Sequence, residues 1–170
     1  MIAMTETIHW AYAAQCDFRL AIASTKRGLC YVGSPGEGFE ELERYCQKRF
    51  PEAEFIHDPE ALKDYKESLE ALLMGSPERF SLPFDTEGTD FQRAIWQALQ
   101  KIPHGQTISY SELAASVGKP QAVRATGSAV GANPLLIFVP CHRVIRKSGD
   151  VTGFRGGMPL KHHLLEMEQR

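Results

Sequence analysis

Of the four cysteines in this 170-residue chain, Cys141 stands in the setting that suits a nucleophile. It follows Pro140, precedes His142 and Arg143, and leads into the most basic stretch of the chain. The thiolate is the reactive form of cysteine, and nearby cations draw a thiol pKa down toward neutrality. Cys141 is therefore expected to be a reactive thiol with a lowered pKa. Cys46 falls on an apolar helical stripe, and Cys16 and Cys30 lie in or beside strand-like runs, so each reads as a small core residue. A Cys-His pair fits several reactions, group transfer and acyl hydrolysis among them. Neighbouring side chains diverge, so His142 is expected to reach the thiol through a water.

The cysteines share no CxxC spacing, which argues against a disulfide framework or a zinc ribbon and suits a reducing cytoplasm. His9 and His57 add no ligand spacing, so no metal is expected. Net charge is −2, which by itself argues against a polyanion binder. The two halves differ, however. Residues 1–85 hold nine basic and fifteen acidic residues, net −6, whereas 86–170 hold ten and six, net +4. Between 119 and 155, Lys119, Arg124, Arg143, Arg146, Lys147 and Arg155 are accompanied by one acid, Asp150. Such a face suits a polyanion; chance clustering on a solvated surface is the alternative.

The elements that must position these residues fall into two lobes, 1–85 and 86–170. Alternation of Phe18, Leu20 and Ile22 predicts a strand with one better-buried face, and runs at 8–14 and 29–33 complete an antiparallel meander. Helices are expected over 38–50 and 59–74, the second capped by Asp58 with Pro59 in its first turn. An extended connector, 75–88, carries the alternating Phe80, Leu82 and Phe84. Beyond it, Thr89 with Gln92 and Ser109 with Glu112 are capping boxes opening helices at 89–102 and 110–116. A helix at 121–132, rich in small residues, completes a helix-turn-helix outline. Those small residues serve either close approach to a partner or tight packing in the core. The apolar run 135–139 is expected as a buried strand ending at Cys141. Val144-Ile145 and Val151-Thr152 are expected as a hairpin wing, and 159–169 as the last helix.

Pro140-Cys141-His142-Arg143-Val144 resembles the active-site signature of the O6-alkylguanine-DNA alkyltransferases. The resemblance runs from about Thr89 to Glu168 and takes in Ile108-Ser109-Tyr110, Arg124-Ala125, Asn133-Pro134 and the tail from Gly156-Gly157 through Lys161 to Glu168. It implies an α+β fold, with a small N-terminal antiparallel sheet lobe with helices (RNase H-like) and a C-terminal winged helix-turn-helix lobe carrying the site. It implies a single-turnover transfer of an alkyl group from O6 of guanine in double-stranded DNA to Cys141. In that reaction His142 takes the thiol proton, Glu168 orients and charges the imidazole, and Tyr110 donates to the base. Arg124 would enter the base stack, with Ala125, Lys119 and Arg143 at the DNA and Asn133 as the hinge between helix and site. Val144, Phe154 and Gly156 would line the substrate pocket; glycine at 156, where some relatives carry tryptophan, implies a roomier pocket. No cofactor is implied. Some relatives hold a structural zinc in the first lobe, but the cysteines with His9 and His57 show no matching spacing, so none is expected. The protein is expected to act as a monomer.

Two rivals frame that reading. A binding module that recognises lesions without reacting would lack the cysteine, and a cysteine hydrolase would need an oxyanion hole. The longest apolar run, Leu135 to Val139, is too short to span a membrane, and the N-terminus carries no basic-then-apolar signal, so a cytoplasmic protein is expected.

Overall fold

Alternating apolar residues in the first quarter of the chain build a meander of three strands, β1 (Thr7–Gln15), β2 (Phe18–Thr25) and β3 (Gly28–Val32). The structure is a computed structural model that describes residues 5–78, 81–151 and 153–170. β1 pairs antiparallel with β2, and β2 with β3, as expected. The sheet is nevertheless mixed. A fourth strand, β4 (Glu54–His57), runs parallel to β1 at the edge, in the order β3-β2-β1-β4. A parallel neighbour requires a crossover, supplied by helix α1 (Phe39–Arg49). β4 is four residues long and largely exposed, so it lacks the alternation that marks a half-buried strand.

Both faces of β2 are buried, not one. Leu20 and Ile22 join the main core, while Ala21 and Ala23 pack beneath Leu42 and Cys46 of α1. Alanine is small enough to let the helix lie close to the sheet. Helix α2 (Lys63–Leu73) begins later than its proline suggests: the Asp58 carboxylate accepts from the Ala61 N–H in a turn that precedes the helix. The connector packs along the edge of β3, where the Leu29 N–H donates to the Pro83 carbonyl and the Leu29 carbonyl accepts from the Asp85 N–H, flanking Phe84. A Cβ on Gly28 would collide with the Pro83 carbonyl, which explains glycine there. Phe80 and Thr152 lie outside the described residues.

Asp85 anchors this connector. It is buried, accepts from Thr25, Arg27 and Arg49, and its carboxyl pKa is lowered. Burial alone would raise that pKa; the hydrogen bonds from Thr25 and Arg49 and the charges of Arg49 and Arg27 outweigh it. Asp85→Ala is expected to cost about 3 kcal/mol, the low end for a broken buried pair, because Arg49 is left with the exposed Glu87 as its counter-charge. Urea unfolding at neutral pH measures it. The deficit should shrink as acid protonates Asp85 in the parent, since the stability from a lowered carboxyl pKa is complete above the unfolded value and is lost as pH falls through the folded one.

In the second half, α3 (Asp90–Leu99) and α4 (Tyr110–Ser116) both open with the expected capping boxes. α5 is shorter than expected, Val123–Gly131, and packs on α3, where the Trp96 indole donates to the Ala129 carbonyl (2.9 Å). The small residues of α5 divide between two surfaces. Ala129 is buried, whereas Ala125, Ser128 and Gly131 face outward beside Arg124. The run 135–139 forms no strand. It folds into a tight turn with Val139 donating to the Leu135 carbonyl and Ile137 at φ 75°. A short, uniformly apolar run carries no period, so it cannot tell a strand from a turn buried on all sides.

The expected hairpin partner of Val144-Ile145, Val151-Thr152, reaches outside the described residues. β6 (Val144–Ile145) pairs in parallel with β5 (Ile108–Ser109), while Arg146 and Asp150 close an exposed turn beside it. Helix α6 (Met158–Glu168) ends the fold. One core cluster links β1, β2 and β3 with α2, α3, α6 and the 135–141 segment. Among the described residues no helix is long and apolar enough to cross a membrane.

Candidate active site

Cys141 opens a single 3-10 turn, Cys141–Arg143, between the Ile137 turn and β6, and its side chain is buried. α6 holds that turn from beneath at two points seven residues apart. Glu168 accepts from His142 Nε2 (2.8 Å), and Lys161 Nζ donates to the Val144 carbonyl (2.8 Å). Asn133, just past the end of α5, is the third support. Its Oδ1 accepts from the Leu135 N–H (2.9 Å), and its Nδ2 donates to the Val139 carbonyl (3.0 Å) and contacts Cys141 Sγ (3.3 Å). Ala132 caps α5, and the Asn133 side chain, expected as the hinge, ties that helix to the cysteine turn.

Glu168 is 7% exposed, and its pKa lies at about 2. Burial would raise it, but hydrogen bonds and charge from His142 and Arg143 win. His142 is buried and its pKa is lowered, chiefly by desolvation, against the pull of Glu168. The imidazole is therefore neutral at pH 7: Glu168 orients it but does not charge it, contrary to the sequence expectation. An ionised carboxylate can only accept, so the imidazole proton sits on Nε2 and the lone pair on Nδ1. Nδ1 is buried and without a hydrogen-bond partner among the described residues.

The thiol pKa of Cys141 is raised, not lowered. Desolvation dominates, and the Asn133 hydrogen bond with the charges of Arg155 and Lys161 offsets it only in part. The lowered pKa expected from neighbouring cations fails because Arg146 and Lys147 point to solvent and Arg143 faces away into its carboxylate. A buried thiol of this kind needs a base to become a nucleophile.

A cavity of about 370 Å³ opens beside the sulfur. Tyr110, Leu136, Phe154, Arg155 and two glycines of α5, Gly127 and Gly131, line it with Cys141. The Tyr110 ring lies against Gly127, and its phenol pKa is raised by burial and by Cys141, so it remains a donor. Neither Val144 nor Gly156, both expected in the pocket, lines this cavity. Val144 is fully buried beneath the turn. A Cβ at Gly156 would stand 2.7 Å from the Phe154 ring and 2.8 Å from Leu160, so its missing side chain makes room for Phe154 rather than for substrate.

Arg143, expected at the DNA, directs its donors inward: Nε and Nη2 to Glu168 (3.0 and 2.8 Å) and Nη1 to the Ile102 carbonyl (2.8 Å). Arg124 is the second residue of α5, not the fourth of a longer helix, and is exposed with Ala125; Lys119 is exposed in the preceding turn. Sequence reasoning counted Arg155 with the basic face and Lys161 only within the resembling tail, yet Arg155 turns its donors inward and both bear on the site. Lys161 offered a signal, for it shares the apolar stripe of α6 with Leu160 and Leu164 and is fully buried.

A nucleophilic thiol, an oriented base and a lined cavity occur in several enzyme classes, and sequence comparison distinguishes them. The inducible methylated-DNA–protein-cysteine methyltransferase of Bacillus subtilis is 46% identical over 164 residues, spanning 96% of this chain and 92% of that protein. The chain belongs to the methylated-DNA–protein-cysteine methyltransferase family. Within it, the family described as 6-O-methylguanine DNA methyltransferase, DNA binding domain, matches residues 90–170. This methyltransferase chain also superposes on the crystal structure of Mycobacterium tuberculosis O6-methylguanine methyltransferase, with TM-score 0.81 and 36% identity over 95% of this chain and 93% of that one. The Mycobacterium tuberculosis OGT in complex with DNA matches with TM-score 0.80, at 36% identity over 95% and 92% of the two chains.

Proposed function

We propose that this protein repairs DNA by direct reversal, moving the alkyl group from O6 of guanine to Cys141 in a reaction each molecule performs once. The neutral His142, next to Cys141 in the chain and oriented by Glu168, supports this reading, because a buried thiol needs a base and this imidazole keeps a lone pair. His142 Nδ1 takes the thiol proton through a water. The sulfur attacks the alkyl carbon, a C–S bond forms, and the C–O bond breaks with its electron pair passing to guanine. Tyr110 gives a proton to the base, so guanine leaves neutral. A thioether has no hydrolytic exit, and the protein is consumed.

The DNA face we assign is the outward side of α5. Ala125, Ser128 and Gly131 present no bulk there, which permits close approach to a minor groove. Arg124 enters the stack as the damaged nucleotide swings out, and Lys119 lies at its edge. α4 and α5 form the helix-turn-helix, and the turn from Arg146 to Asp150 serves as the wing. Arg143 acts as a positioning residue for Glu168 rather than as a DNA contact. In this reading residues 1–85 form an RNase H-like scaffold domain and 86–170 the catalytic and DNA-binding domain, working as a cytoplasmic monomer.

Mixing the protein with a duplex carrying O6-methylguanine and measuring its intact mass tests the proposal: one methyl group per molecule, mapped to Cys141, is expected. Turnover of an acyl substrate without an adduct would instead mark a hydrolase. The glycine-lined cavity should also admit substituents larger than methyl. Single-turnover rates on O6-ethylguanine duplexes should stay within about tenfold of those on O6-methylguanine, the low end of what one methylene in an apolar pocket commands.

A further inference from the structure

Arg155 lies in the cavity wall, yet its side chain is held by the half of the chain that carries no chemistry. Its Nη1 donates to the Tyr31 hydroxyl (3.0 Å) and to Glu41 Oε1 (3.2 Å). Its Nη2 donates to the carbonyls of Val32 (2.7 Å) and Asn133 (3.1 Å). The guanidinium also sits over the Tyr31 ring, 4.8 Å from its centroid. Even the Arg155 carbonyl is held, by the Ser34 hydroxyl (3.1 Å). Glu41 in turn accepts from Tyr31, Ser34 and Arg155, so β3, the turn after it and α1 converge on one side chain of the pocket loop.

We propose that Arg155 is a positioning residue of the transfer reaction, through which the N-terminal half fixes the pocket wall and places a positive charge beside Cys141. Three features carry this. Arg155 and Cys141 line the same cavity. Asn133, whose amide contacts the sulfur, has its own carbonyl bound by Arg155, so one guanidinium fixes both Phe154's neighbourhood and the Asn133 support. The fork geometry matters as well, because a planar guanidinium can serve two carbonyls, a phenol and a carboxylate at once where an ammonium cannot. The inference rests on Cys141 as the acceptor proposed above.

The charged and titratable groups around this arrangement are few. Glu41 and Tyr45 of α1 and Tyr31 of β3 face Arg155, while Tyr110 of α4, Lys161 of α6 and Arg155 itself face Cys141. His142 interacts with Glu168, Arg143 and Lys161. Of these, Arg155 is the cation whose placement depends on the N-terminal half.

The test separates charge from shape in the full chain carrying Cys16→Ser, which removes the partly exposed thiol. The rate at which iodoacetamide labels Cys141 is followed against pH by peptide mass, and single-turnover methyl transfer and duplex affinity are measured alongside. Arg155→Met should raise the pH midpoint of labelling by about one unit, as expected for losing a nearby opposite charge. It should also slow saturated transfer by about 10–100-fold through a misplaced wall, leaving duplex affinity unchanged. Arg155→Lys should restore the midpoint but not the transfer rate. Glu41→Gln, which keeps the hydrogen-bonding shape and removes the neutralising charge, should lower the midpoint; it is the deciding variant where Arg155→Met does not fold. A midpoint that stays put in the folded variants overturns the charge role, and an unchanged transfer rate in Arg155→Met overturns the positioning role. If the parent labels at Cys141 but takes no methyl from DNA, it is the proposed function that fails, while the pH shifts still report on Arg155.

Discussion

Cys141→Ser is expected to lose methyl transfer by on the order of 10⁴-fold or more while keeping its fold and its affinity for a lesion-bearing duplex. The hydroxyl takes the space of the thiol, and Asn133 Nδ2 keeps its bond to the Val139 carbonyl, so the turn retains its supports. What changes is the nucleophile: an alkoxide is far harder to form than a thiolate, and His142 as a neutral base cannot make up the difference. The outward face of α5 is untouched, so gel-shift affinity should match the parent. Intact mass after incubation with the methylated duplex should show no adduct, and the lesion should persist. Loss of the lesion without a mass gain would place the acceptor elsewhere and remove the basis of the mechanism.

How much of this site was legible in the sequence follows from which signals are local. Capping boxes at Thr89 and Ser109 involve residues three apart, so both helix starts were readable. Cys141, His142 and Glu168 were readable as a set through the resemblance, because their chemistry constrains residue type. Charge state was not. Solvation decides whether Cys141 is a thiolate or a thiol and whether His142 is neutral, and burial is a property of the assembled fold. Arg143 looked like a DNA contact because its neighbours Arg146 and Lys147 are basic, yet it faces the opposite way. Gly156 looked like open space because a missing side chain reads as a void; only the Phe154 ring packed onto it shows otherwise. β4 and the Ile137 turn escaped for a related reason. β4 takes its only sign of pairing from β1, distant in sequence, and the Ile137 turn lies in a run too uniformly apolar to carry a period.

Glu168 carries the other large effect, and two substitutions distinguish its roles. Glu168→Ala removes the acceptor for His142 Nε2 and strands the largely buried guanidinium of Arg143, which keeps only the Ile102 carbonyl. Losing one partner of a buried ion pair costs about 3–5 kcal/mol. The deficit should be full at neutral pH and fade in acid. Because the pKa of Glu168 is lowered to about 2 from 4.5, its contribution is complete above 4.5 and is lost as pH falls toward about 2. Urea midpoints of parent and variant should therefore converge across that interval. Transfer should fall by about 10²–10⁴-fold, because the imidazole is then free to carry its proton on Nδ1, where it cannot accept one from the thiol. Glu168→Gln separates orientation from charge: its amide oxygen still accepts from Nε2 and keeps the tautomer. It should lose comparable stability, since Arg143 still lacks a counter-charge, but only about tenfold in rate. Equal rate losses in the two variants would mean that the carboxylate serves the reaction through its charge, and that the lone pair on Nδ1 is secured by something other than Glu168.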